Sequence, residues 1–269
     1  MSSSKPEKSD TTKQKYENII KSLIRKNINI QDVKEITKYI KKYSLNYQTS
    51  ILSALIYYYK NNEELLTKYT KLNNKILKAR SKETHQKNRK IIDWSLILKK
   101  YKELHKHVIN RGFKPDKRRL FVASLFILIP PRRLLDYINM YIVDSMNDII
   151  KKDINYYVKQ ERLFIFNSYK TSKTYGRQQL KIPIKLYKII ENYINETKLE
   201  NGELLLGMLN TASLTMYLKE IFGVSVDILR HSYINKFHEN TPSNKKIKLL
   251  AEKMGHSINL QFDYRTEKK

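Results

Sequence analysis

The 269 residues include 53 Lys and Arg against 26 Asp and Glu, a formal charge of +27 spread along the chain rather than gathered in a tail. That excess disfavours cationic partners and fits a polyanion, because phosphates neutralised by Lys and Arg release condensed counterions. The lack of cysteine excludes disulfides and thiolate metal sites. No window is apolar enough to span a membrane, and Met1-Ser2-Ser3-Ser4 leads directly into charged residues, so a soluble, intracellular chain without leader or anchor is expected.

Residues 1–12 are polar and rich in Ser and Lys, which predicts a disordered lead-in. Residues 13–80 carry two apolar stripes at helical spacing, Tyr16, Ile19, Ile20 and Leu23, then Ile51, Leu52, Leu55, Ile56 and Tyr59, with Ser44 as a start signal before the second. A small basic helical domain is expected there. Residues 81–90 hold almost no apolar side chain and predict an interdomain linker.

Residues 91–269 make the second domain. Helices are expected over about 93–109 and 117–129, until Pro130-Pro131 interrupts the pattern. Three strands follow, at 155–158, 162–168 and 177–183, most simply an antiparallel sheet with a long hairpin tip at 169–176. Four helical segments come next. The first carries Leu186, Ile190 and Tyr193, the second is stopped by Gly223, the third runs over about 226–237, and the fourth starts at Thr241-Pro242 and ends at Gly255. The fold class is mainly α with a small three-stranded antiparallel sheet (α+β).

Near the C-terminus the chain reads Ser225-Val226-Asp227-Ile228-Leu229-Arg230-His231-Ser232, then Met254-Gly255-His256-Ser257, with Tyr264 beyond. This resembles the signature of the tyrosine recombinase (phage-type integrase) family, S-x-H-x-L-R-H-S followed by L-G-H-S and a nucleophilic tyrosine. The helix and strand order of residues 90–269 is similar to that family's catalytic domain, and residues 13–80 would correspond, by size and position, to its core-binding domain.

The resemblance implies that DNA strands are cut and rejoined through a 3′-phosphotyrosine. That chemistry needs an attacking oxygen, cations around the pentavalent phosphate and a proton donor for the leaving 5′ oxygen. Tyr264 matches the nucleophile, although its distance from His256 is one residue shorter than is usual in the family. Arg230 matches the second catalytic arginine, and a guanidinium suits phosphate because it is planar, permanently charged and can hold two oxygens at once. His256 matches the histidine that donates a hydrogen bond to the scissile phosphate.

The family's first arginine lies in an R-x-x-E/D string. Pro130-Pro131-Arg132-Arg133-Leu134-Leu135-Asp136 supplies Arg133 in register with Asp136, and Arg132 as the alternative. A helix starting at the diproline would turn free backbone N–H groups toward an anion. The family's catalytic lysine sits on the strand hairpin, where Lys170, directly before Thr171, matches best and Lys173 is the alternative. Asp227 departs from the family's histidine. An acid there cannot be a cationic phosphate ligand, so it orients Arg230 or accepts a proton.

The implied protein is a site-specific recombinase or integrase of a virus or mobile element, acting on double-stranded DNA as a homo-oligomer, a tetramer, without metal or other cofactor. Two alternatives use the same residues: a type IB topoisomerase-like enzyme, and a DNA-binding protein on a decayed recombinase scaffold.

Overall fold

The computed structural model describes residues 10–86, 91–111 and 114–264. The chain divides into two compact units, residues 1–89 and 90–269. No described helix is long and apolar enough to cross a membrane.

The first unit is helical: α1 (Asp10–Arg25), α2 (Val33–Ile40), α3 (Leu45–Tyr58) and α4 (Glu63–Gln86). Asp32 caps α2 by accepting from the amides of Lys34 and Glu35, and Ser44 caps α3 as its sequence position predicts. The two apolar stripes meet in one core around Ile20, Leu23, Ile36, Leu52 and Leu55. Tyr69 enters that core with its hydroxyl donating to Ile30 O at 2.7 Å, and burial raises its pKa.

Two boundaries differ from expectation. The expected lead-in is shorter, because α1 already begins at Asp10, an acid well placed against the positive end of a helix; residues 1–9 lie outside the described residues. The expected linker is partly helix, since α4 continues to Gln86. Lys82, Glu83 and Gln86 are good helix formers and no Gly or Pro intervenes, so the lack of apolar residues at 81–86 did not end the helix. Residues 87–90 lie outside the described residues.

The second unit opens with α5 (Trp94–Arg111), started by Asp93 accepting from the Ser95 amide, and α6 (Lys114–Ile127). After the diproline come α7 (Leu135–Ile138) and β1 (Met140–Val143), then β2 (Asn155–Val158) and β3 (Leu163–Phe166). A helical turn, α8 (Ser172–Tyr175), lies in the connection to β4 (Gln178–Lys181). Five helices close the unit: α9 (Ile184–Thr197), α10 (Thr211–Phe222), α11 (Val226–His238), α12 (Asn244–Met254) and α13 (Ile258–Tyr264).

The sheet corrects the expected fold class: it has four strands in the order β1-β2-β3-β4 and is mixed, with β1 parallel to β2 and the other pairs antiparallel. The three expected strands are β2, β3 and β4. β1 escaped notice because it is four residues long and follows a one-turn helix with only Asn139 between, which leaves no room for a period to show. Its outer edge is covered by residues 202–205, whose Gly202 and Leu205 amides donate to Ile142 and Met140 carbonyls at 2.8 Å.

Two further corrections concern the last helices. α12 begins at Asn244 rather than at Thr241-Pro242, because Thr241 has a φ of 41°, outside any helix. α13 was not expected, its seven residues being too few and too polar for a stripe. The core packs α5, α6, α9 and α10 against the sheet, with the Tyr137 ring against those of Phe126, Phe164 and Phe166.

Candidate active site

The site is assembled at the C-terminal end of α12. That helix stops because Gly255 adopts φ 64°, and the turn closes with the Gly255 amide donating to Glu252 O and the His256 amide to Ala251 O. Both bonds belong to a Schellman cap, which fixes the direction in which the next residue leaves the helix. Thus the glycine before His256 sets where the imidazole goes.

Arg230, on the second turn of α11, meets that imidazole. Its Nη2 lies 2.9 Å from His256 Nδ1. Guanidinium has no acceptor, so Nδ1 accepts and the neutral ring carries its hydrogen on Nε2. Burial, then the charges of Arg230, Arg133 and Arg132, push the His256 pKa down to about 3. The ring is neutral at physiological pH and its Nε2 is a donor.

The two arginines after the diproline lie in irregular backbone, not in a helix. α7 is a single turn that starts only at Leu135, and its amides from Asp136 onward are already bonded within the turn. The expected helix N-terminus facing an anion is therefore not formed. The side chains supply the charge instead, and they do so unequally.

Arg132 is 1% exposed and held on every side. Its Nε donates to Asp136 Oδ2 at 2.8 Å, and its Nη1 to Gln178 Oε1 and Lys253 O at 2.9 Å. The guanidinium also lies 3.8 Å above the Phe166 ring. Nη2 has no hydrogen-bond partner among the described residues. Arg133 is half-buried and donates from Nη1 to Gly255 O at 2.6 Å.

Asp136 thus pairs with Arg132, four residues away, while Arg133, in register with it in the R-x-x-D string, bonds Gly255 O. Burial raises the Asp136 pKa while Arg132, Arg133 and Arg230 act to lower it. One carboxylate therefore stands among three guanidinium groups. The carbonyls of Lys253 and Gly255 complement the arginines, as cations at a helix C-terminus should.

The β3–β4 connection reaches the same place. Thr171 Oγ1 donates to Gly255 O at 3.1 Å, so this one carbonyl accepts from both Arg133 and Thr171. Lys170, directly before Thr171, is exposed, and Lys173 is exposed on α8. The connection is closed by Tyr169, whose hydroxyl donates to Gly176 O at 2.7 Å.

Asp227 is exposed in the first turn of α11, one turn before the buried Arg230. Tyr264 ends α13; its backbone is part of that helix and its side chain lies outside the described residues. The short path from His256 to Tyr264 is consequently a helix rather than a tight turn. Gln261 pins that helix: fully buried, its Nε2 donates to Ile247 O on α12 at 3.1 Å and its Oε1 lies 3.3 Å from His238 Nε2 on α11.

The sequence strings around 132, 170, 230 and 256 are therefore brought together, with Asp227 exposed one turn before Arg230. Arg230 and His256 are 1% and 2% exposed. Sequence reasoning missed Gln178 and Gln261, whose roles depend on partners far along the chain. Thr171 carried a signal, its place directly after Lys170.

No family model matches the chain, and no curated protein matches it. Among solved structures, the crystal structure of XerA recombinase is similar over 97% of this chain and 89% of that one, at 13% identity and a TM-score of 0.46. The functional reading rests on the residues of the site itself.

Proposed function

We propose that this chain is a site-specific DNA recombinase of the tyrosine type, an integrase of a virus or mobile element that works on double-stranded DNA as a tetramer. In this reading residues 13–80 clamp the DNA and residues 91–269 perform the chemistry. The observation that carries it is the meeting of Arg132, Arg133, Arg230 and a neutral, Nε2-protonated His256 around the end of α12. Such a site holds a phosphate by charge and by directed donors without further help.

The reaction follows from these groups. The Tyr264 phenol gives up its proton to solvent water and its oxygen attacks the scissile phosphorus. The bond from phosphorus to the 5′ oxygen breaks, and Lys170 protonates the leaving oxygen. The arginines and His256 Nε2–H stabilise the charge that builds on the non-bridging oxygens. Rejoining is the reverse, with the 5′ hydroxyl of a partner strand attacking the phosphotyrosine.

A nicked duplex whose short 5′ fragment diffuses away after cleavage tests the reading. Accumulation of a covalent protein–DNA adduct supports it, and its absence across a library of duplex sites refutes it. The burial of Arg230 and His256 favours one second reading, a DNA-binding protein that keeps the scaffold without the chemistry. That protein would bind duplex and form no adduct.

A further inference from the structure

The connection between β3 and β4 is fastened to the site at two points. Gln178, at its β4 end, accepts from Arg132 Nη1 at 2.9 Å, and Thr171, at its β3 end, donates to Gly255 O at 3.1 Å. Between them lie the helical turn α8 and both exposed lysines, with Lys170 adjoining the anchored Thr171. A loop carrying long, exposed side chains gains little from such ties in stability, because its lysines make no core. The ties do fix where the loop stands relative to His256, the residue that follows Gly255.

Resting on the recombinase reading, we infer that Thr171 is a positioning residue: its hydroxyl, held by the Gly255 carbonyl, sets Lys170 against the leaving 5′ oxygen. Gly255 O is the common reference. It receives Arg133, which serves the phosphate, and Thr171, which serves the leaving group, so the cation and the proton donor are registered to one backbone atom. Displacement of a positioned group by a fraction of an ångström is enough to slow a proton transfer.

The chemistry supplies a test that a merely structural role would not pass. Replacing the 5′ bridging oxygen by sulfur creates a leaving group that departs as thiolate and needs no proton, since thiols ionise far below alcohols. Cleavage rates are measured for the full chain on a nicked duplex with either oxygen or sulfur at that position. Thr171→Val, nearly isosteric, should slow cleavage of the oxygen substrate by about 10-fold or more and cleave the sulfur substrate at the wild-type rate. Thr171→Ser, which keeps the hydroxyl, should restore the oxygen rate. Lys170→Ala should show a deeper loss with the same rescue, and Arg230→Ala a loss that sulfur does not rescue.

Thr171→Val equally slow on both substrates, or as fast as wild type on oxygen, overturns the inference while leaving the recombinase reading intact. A wild-type chain that forms no adduct on either substrate overturns the reading, and the inference with it. Rescue by sulfur in Lys173→Ala but not in Lys170→Ala would move the proton donor to Lys173 and overturn the assignment.

Discussion

Gly255 offers the sharpest test of how the site is built, because two separate costs attach to it and a second glycine isolates one of them. An alanine Cβ at 255 would lie 2.5 Å from Arg132 Nη2 and 3.0 Å from its Cζ, closer than real Cβ atoms come. The residue also has φ +64°. Gly223, at the end of α10, has φ +76°, but a Cβ there would meet only Lys100 Nζ at an ordinary 3.5 Å. Gly223→Ala should therefore cost about 1–2 kcal/mol, the left-handed backbone alone.

Gly255→Ala carries that cost plus displacement of Arg132, which must loosen its bonds to Asp136, Gln178 or Lys253 while still buried. Disturbing one partner of a buried ion pair costs about 3–5 kcal/mol when fully broken. A partial shift should put Gly255→Ala about 2 kcal/mol below Gly223→Ala in urea unfolding. The adduct assay should separate them too, with Gly223→Ala active and Gly255→Ala strongly impaired. Equal destabilisation by the two substitutions would mean that Arg132 yields without cost, and the close-approach argument would fail.

Tyr264→Phe removes one oxygen and should abolish the covalent adduct while leaving duplex affinity unchanged in a gel-shift assay; an adduct that persists would place the nucleophile elsewhere. Arg230→Ala and Arg133→Ala should each lower single-turnover cleavage by about 100-fold or more, since each removes charge stabilisation realised mainly in the transition state. Duplex affinity should fall steeply as salt rises from 50 to 200 mM, as it does when roughly six to ten phosphates are neutralised, and a flat response would refute phosphate-dominated binding. The His256 pKa is depressed from 6.5 to about 3, so the unfolded chain takes up the proton first. Its contribution to stability is complete above pH 6.5 and falls by about 2 kcal/mol by pH 5; urea unfolding at pH 7 and 5 should show this loss in wild type and much less of it in His256→Asn.

The longer helices of both units were legible because amphipathic stripes such as Ile19, Ile20 and Leu23 leave a period in the sequence, whereas α7, α8 and α13 are too short to show one. β1 was not legible either, since four residues directly after a one-turn helix cannot display one. At the site, Arg230 and His256 were legible as parts of local strings. The R-x-x-D string matched Arg133 and left Arg132 as the alternative, and which of the two would hold Asp136 could not be read from spacing, because the backbone at 132–133 is irregular. Gln178 and Gln261 had no local signal at all: each matters through a partner brought near by packing, 46 residues away for Arg132 with Gln178 and 23 for His238 with Gln261.

The unequal holding of the two adjacent arginines bears on how such a site spends its charge. Arg132 uses its Nε and Nη1 hydrogens on Asp136, Gln178 and Lys253, which freezes the guanidinium in place before any ligand arrives. Its Nη2 hydrogens stay buried without a protein partner among the described residues, a cost that only an incoming acceptor removes. Arg133 donates to the Gly255 carbonyl at the end of α12, and Arg230 lies against the His256 ring. A phosphodiester carries one negative charge and its pentavalent transition state two, so three guanidinium groups opposed by a single carboxylate favour the second over the first. Held in advance by one carboxylate, by the Lys253 and Gly255 carbonyls and by the His256 ring, these cations need little reorganisation as that charge develops, and in the recombinase reading the advantage falls on the step rather than on binding.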